Sequence, residues 1–71
     1  MSSKNVVRAR LTEALHAASA SLRGASLDLY RLSSCVTAPV HAQIIACERA
    51  ADYLAEAERY DALLINLPLE E

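Results

Sequence analysis

The chain has 71 residues, a formal net charge of −2 and a composition that is 54% hydrophobic, with one Gly, no Phe and no Trp. A chain of this length forms one domain that buries only about 60% of its unfolded surface. Ala supplies much of the apolar content, so a bulky core is excluded and we expect a second chain to complete the fold.

The sequence does not have the features of a membrane protein or of a secreted protein. No stretch approaches the roughly 18 apolar residues that a membrane span needs, and residues 1–5 carry no apolar signal segment. The two cysteines, Cys35 and Cys47, are scattered and fit two free thiols in a reducing compartment. We therefore expect a cytoplasmic protein.

The first predicted element is a helix over about residues 4–33, which Ser3 or Asn5 can cap. Gly24 costs about 1 kcal/mol relative to Ala inside a helix. The apolar spacing passes through Gly24 unbroken, so we expect a continuous helix rather than a restart at Ser26. Apolar residues at 4-3-4-3 spacing form a coiled-coil seam, here called the Leu/Ala seam. Its members are Leu11, Leu15, Ala18, Leu22, Ala25, Leu29 and Leu32.

The turn is predicted over about residues 34–38. Its Ser and Thr residues favour local side-chain hydrogen bonds over helix. Pro39 fits the first turn of a new helix, where its missing N–H costs nothing. Thr37 or Ala38 is then the expected cap of that helix.

The second helix is predicted over about residues 39–66, followed by an extended tail at 67–71. A short connection makes consecutive helices antiparallel neighbours. The sequence thus predicts an all-α antiparallel two-helix hairpin, a single domain over residues 1–71, completed by a homodimer or by a larger helical partner.

The second helix carries two apolar stripes, and one neighbouring helix covers only one of them. Stripe one comprises Val40, Ile44, Cys47, Ala51 and Leu54. Stripe two comprises Ala46, Ala50, Tyr53, Ala57, Tyr60, Leu64 and Leu67. One interpretation is a single wide face that wraps around the first helix. The other, which we prefer because Tyr is enriched at interface cores, is that stripe two faces another chain. The predicted partner-binding residues are Ile45, Tyr53, Ala57, Tyr60, Leu63, Leu64 and Leu67.

Charge divides between the two halves of the chain. Residues 1–34 carry five bases and two acids, a net +3, whereas residues 35–71 carry two bases and seven acids, a net −5. Such asymmetry can mark a basic nucleic-acid arm. The simpler interpretation is two helices of complementary charge.

An antiparallel register suggests specific ion pairs at the open end of the hairpin. It brings Glu58 near His16, and Asp61 near Arg8 and Arg10. We therefore predict that these groups pair between the helices. Solvated surface charges that contribute little to stability are the alternative.

No residue pattern predicts catalysis, a cofactor or a metal site. His16 and His41 lie at opposite ends of the hairpin and share no helix face with carboxylates at ligand spacing. The row Glu48, Asp52 and Glu56 resembles paired acid–base groups, but a two-helix unit offers them no cleft, so a solvated outer face is expected. We predict a non-enzymatic protein.

Nucleic-acid binding is an alternative of a different class, as an RNA-binding homodimeric four-helix bundle. It requires a basic row with stacking aromatics. Arg23, Arg31 and Tyr30 are the best candidates. The net charge is negative and the bases are dispersed, so we do not expect it.

Two stretches carry a family resemblance. The run Arg10–Leu15, RLTEAL, is similar to the first helix of small bacterial co-chaperones of the type III secretion needle subunit, and Val40–Ala57 is similar to their second helix. Those proteins are helical hairpins that lie against a larger helical-repeat chaperone, and the two together hold the needle protein. The resemblance implies a co-chaperone that stabilises a partner chaperone or needle subunit. A small regulatory or phage-encoded inhibitor of a host protein is the alternative.

Overall fold

A computed structural model describes residues 3–67. It contains two helices, α1 (Ser3–Ser33) and α2 (Val40–Ile65), which pack antiparallel against each other and confirm the all-α hairpin. Helix α1 is continuous through Gly24, around which a Cβ atom would meet open space. Of the tail predicted at 67–71, all but Leu67 lies outside the described residues.

The turn is held by a residue that the sequence did not single out. Pro39 is the N-cap of α2 and makes no side-chain cap hydrogen bond, so neither Thr37 nor Ala38 caps this helix as predicted. Instead, the side-chain amide Nε2 of Gln43 donates to the carbonyl oxygens of Cys35 (2.6 Å) and Ala38 (3.0 Å). One side chain from the first turn of α2 thus ties the connection to the helix that follows it.

Helix α1 meets α2 along one side of the Leu/Ala seam, whose members Leu15, Ala18, Leu22, Ala25 and Leu29 are half-buried. Leu11 and Leu32 are each 43% exposed, whereas Ser19 and Ser26 are buried. The two serines lie deepest because they are small and because Ser26 Oγ donates to the Ala50 carbonyl oxygen across the interface, at 2.7 Å. We call this row of buried and half-buried residues the contact line of α1. It comprises Arg8, Thr12, Leu15, Ser19, Leu22, Ser26, Leu29 and Ser33.

Stripe two, and not stripe one, is the contact line of α2. Ala46, Ala50 and Ala57 are buried, and Ala57 is 0% exposed. Val40 and Ile44 of stripe one are 70% and 54% exposed. Stripe two faces α1 because its three buried alanines lie opposite the two buried serines of α1, and such small side chains let the helix backbones approach closely. The stripe that was expected to face another chain is therefore the one that α1 covers.

The buried core of this hairpin is small. The buried apolar side chains among the described residues are three alanines, and no large side chain is fully buried. The described chain measures 56 × 16 × 11 Å. Its smallest dimension matches the diameter of one helix, about 10–12 Å. The hairpin is therefore a single layer with two broad faces.

Candidate functional site

The two faces of the hairpin follow from helix geometry. Each residue turns the helix by about 100°, so the residue after a contact-line position points to one face and the residue before it points to the other. We call these the groove face and the seam face. Because the two helices share this rule, each face combines side chains from both.

The groove face carries a groove of about 460 Å³ between the helices. Its floor contains the small residues Ser26 and Ala50, and Arg23 also lines it. The apolar walls are formed by residues that each follow a contact-line position. They are Leu27, Tyr30, Cys47, Ala51 and Leu54. Val40 and Ile44, the members of stripe one nearer the turn, are exposed and do not line the groove.

The seam face is more dispersed. Ile45 and Leu63 are each 53% exposed, and each precedes a contact-line residue of α2. On α1, Leu11 and Leu32 are exposed and each precedes a contact-line residue. On α2, charged residues at 49, 52, 56 and 59 separate the two apolar ends. This face therefore offers apolar anchors around a polar centre.

The predicted partner-binding residues divide between two environments. Ile45 and Leu63 lie exposed on the seam face. Ala57 is covered by α1 and leaves no surface for a partner. The remaining four lie half-buried on the contact line, where they flank α1. They are Tyr53, Tyr60, Leu64 and Leu67.

Sequence reasoning missed the groove as a site. Leu27 and Tyr30 stand outside the Leu/Ala seam of α1, and that surplus was a readable signal. Paired with stripe one of α2, they predict an apolar channel beside the contact line. The apolar spacing of α2 alone instead predicts stripe one in the interior of the hairpin.

Asp61 is the centre of a polar cluster at the contact line. Ser19 Oγ donates to Asp61 Oδ1 at 2.7 Å, and the Arg23 guanidinium donates to Asp61 Oδ2. Asp61 thus pairs with Arg23 and not, as the approximate register predicts, with Arg8 or Arg10. The reason is register, because the direct hydrogen bond from Ser19 holds Asp61 about two and a half to three helical turns along α1 from Arg10 and Arg8.

This cluster makes stability depend on pH. The hydrogen bond from Ser19, followed by that from Arg23, lowers the pKa of Asp61. A carboxyl whose folded pKa is lowered stabilises the fold above its unfolded pKa, near 4, and loses that contribution as the pH falls through the folded pKa. We expect Asp61→Asn to flatten the acid dependence of unfolding below about pH 4.

Urea unfolding followed by circular dichroism from pH 2 to pH 7 measures this dependence. Asp52→Asn, which removes an exposed carboxylate outside the cluster, is the matched control. We expect this variant to lose stability at low pH as wild type does. An Asp61→Asn protein with the same acid limb as wild type would contradict the role of the cluster.

The residues considered for RNA binding are engaged within the chain. Arg23 pairs with Asp61, and Arg31 lies 3.7 Å from the Asp28 carboxylate in an exposed i,i+3 pair. Tyr30 lines the groove. Tyr30 is nevertheless 58% exposed, and the pair of Arg31 with Asp28 is open to solvent.

Both cysteines are free thiols, and they occupy different sites. Cys47 lines the groove. Cys35 lies in the turn, where a hydrogen bond with the Thr37 side chain is the main cause that lowers the pKa of its thiol. Among residues 3–67 there is no group of three or more His, Cys, Asp and Glu placed to hold a metal ion. In the same range, neither helix combines the length and apolarity to cross a membrane.

The fold and its two faces define a class, the helical hairpin with uncovered apolar faces. No protein family, curated protein or solved structure matches the chain. The resemblance to secretion co-chaperones stays a prediction from the sequence.

Proposed function

We propose that this chain is a non-enzymatic protein-binding module. The observation that carries the proposal is an imbalance of burial. Thirteen large apolar side chains among the described residues are exposed, while no large side chain is fully buried. Covering apolar surface contributes about 25 cal/mol per Å², so association supplies the stabilisation that the hairpin core lacks.

The seam face is the proposed docking surface for a larger partner. Ile45 and Leu63 are 18 residues apart, which is five full helical turns and about 27 Å. They therefore lie on one line along α2, with Arg49 and Glu56 between them. A matching partner presents apolar pockets about 27 Å apart with polar groups between, and helical-repeat proteins offer extended concave surfaces of that length.

A cytoplasmic co-chaperone of type III secretion is the named case that we propose. The similarity of Arg10–Leu15 and Val40–Ala57 to that family supports it, as does the fit of a long seam face to a helical-repeat chaperone. In this role the hairpin stabilises a partner chaperone or a needle subunit. A small inhibitor of a host protein requires the same surface and differs in the identity of its partner.

Affinity purification of the tagged chain from its native host, followed by reconstitution with the purified partner, tests the proposal. We expect a stoichiometric helical-repeat protein, and we expect Leu63→Asp to weaken its binding by about 100-fold, because an anchor is replaced by a charge that must be desolvated. Leu63 is preferred to Tyr60 for this test because Tyr60 also flanks α1. Ala55→Asp is the control, since residue 55 is exposed and points away from α1.

The outcomes separate the candidates. A partner that binds wild type and Leu63→Asp equally would overturn the assignment of the seam face. Recovery of RNA with strongly salt-dependent affinity, and of no protein, would replace the proposal with the nucleic-acid class.

A further inference from the structure

The charges between the two apolar ends of the seam face follow a mirror order along α2. Ile45 and Leu63 define a line along this helix, and at about 100° per residue four charged residues between them lie within about 40° of that line. In chain order they are Arg49, Asp52, Glu56 and Arg59. Glu48 lies about 60° from the line, on the outer side of α2. The order along the line is therefore apolar, basic, acidic, acidic, basic, apolar.

These four charges have no counter-charge within the described part of the chain. Three of the side chains are exposed, and that of Glu56 is half-buried. Among residues 3–67, none of the four side chains makes a hydrogen bond or an ion pair. A partner that covers the seam face must supply counter-charges, because a charge that is buried without one loses its hydration and gains nothing in return.

A second copy of this chain does not supply those counter-charges. A two-fold axis across the helices that superposes Ile45 on Leu63 places base opposite base and acid opposite acid, which is repulsive. A two-fold axis along the helices instead places the charges over α1 of the other copy. Since Ser26 lies beside Ala50, they are then level with about residues 17–27 of α1. The nearest acid on the seam face of α1 is Asp28. It can meet only one of the two bases, so the two acids stay unpaired.

We propose that the seam face docks a helix of a different protein, in which two bases lie between two acids and apolar residues about 27 Å apart flank all four. The bases face Asp52 and Glu56, and the acids face Arg49 and Arg59. Complementary charges of this kind set the register of a helix pair and exclude wrong partners. The inference rests on the proposed protein-binding function and adds the chemistry of the partner surface.

A charge-reversed form of the chain itself is a defined probe for this pattern. It gives acid, base, base, acid between the same two apolar residues and leaves the net charge unchanged. Laid on wild type with those apolar residues aligned, it places an opposite charge at each of the four positions. The substitutions are Arg49→Glu, Asp52→Lys, Glu56→Lys and Arg59→Glu. None of them is on the contact line, so we expect the helix content by circular dichroism to match that of wild type.

Fluorescence anisotropy of the dye-labelled reversed chain, titrated with unlabelled wild type, measures the mixed complex. We expect the reversed chain to bind wild type about 10-fold or more tightly than labelled wild type does, because opposite charges replace like charges at four positions. The advantage should shrink in about 0.5 M NaCl, which screens exposed charges. It should vanish when the unlabelled chain carries Leu63→Asp and persist when it carries Ala55→Asp, which adds the same charge outside the seam face.

No gain in affinity of the reversed chain over wild type would overturn the proposed pattern. Self-association of wild type that Leu63→Asp abolishes would do the same, and that measurement needs no reversed chain. A partner recovered from the native host that requires Leu63, yet binds the reversed chain as tightly as wild type, would overturn the charge pattern and leave the protein-binding function standing. Failure of that function has a different signature, because no protein is then recovered, or one that does not require Leu63, and the basis of both proposals is removed.

Discussion

Ala57→Leu is expected to lower the free energy of unfolding by about 1–3 kcal/mol and, in so small a fold, to remove most of the helical signal. Ala57 is 0% exposed and lies on the contact line, where α1 leaves no room for three added carbon atoms. The larger side chain forces the helices apart and separates the small residues that now meet. Urea unfolding by circular dichroism, at a fixed protein concentration, measures the loss.

Ala55→Leu is the matched control for this prediction. Residue 55 is exposed, and Leu is nearly as good a helix former as Ala, so stability stays close to that of wild type. The comparison also separates the two assignments of stripe two. If stripe two faced only another chain, Ala57→Leu would leave the hairpin intact, and an unchanged unfolding curve would contradict the contact line described for α2.

Gln43→Glu is expected to lower the free energy of unfolding by about 2–3 kcal/mol at pH 7. The amide Nε2 of Gln43 donates to two carbonyl oxygens of the turn. A carboxylate of the same shape donates to neither and places an acceptor oxygen, in place of Nε2, opposite both carbonyl oxygens. Urea unfolding at pH 7 and at pH 4 measures the effect.

The pH dependence of the Gln43→Glu variant has a definite sign. The turn carbonyls favour the protonated carboxylic acid, so the introduced group has a raised pKa in the folded state. Stability therefore recovers in part as the pH falls, since the protonated acid donates one hydrogen bond. Glu48→Gln, an exchange of the same two residue types at an exposed position, controls for charge. A Gln43→Glu protein as stable as wild type at pH 7 would show that Gln43 does not hold the turn.

The groove was predictable only in part. Its α2 wall is stripe one, which the sequence reveals as a regular row of apolar residues. Its α1 wall, Leu27 and Tyr30, was readable as a surplus outside the Leu/Ala seam. The floor of Ser26 and Ala50 was not readable, because it depends on which faces of the two helices meet.

Register also required the folded chain. An estimate from the turn placed Asp61 near Arg8 and Arg10, whereas the structure places it beside Ser19 and Arg23. The turn alone leaves an uncertainty of more than one helical turn between opposing residues. The hydrogen bond from Ser26 to Ala50 removes that uncertainty because it joins two particular atoms across the interface.

The sequence by itself determined two helices, a short turn, their antiparallel arrangement and an excess of apolar surface on α2. These properties follow from the spacing of apolar residues within each helix and from the length of the turn, and each of these belongs to a single stretch of the chain. Only the tertiary structure decided which stripe of α2 faces α1, because both stripes repeat at helical spacing. On α1, hydrophobicity alone would favour leucine over serine as the buried residue. The choice depends on how the two helices fit together. The small residues Ser19 and Ser26 of α1 pack against the small residues of α2, and their hydroxyls donate hydrogen bonds to acceptors on α2. Residues more than 20 positions apart create that fit together, so no single stretch of sequence contains it.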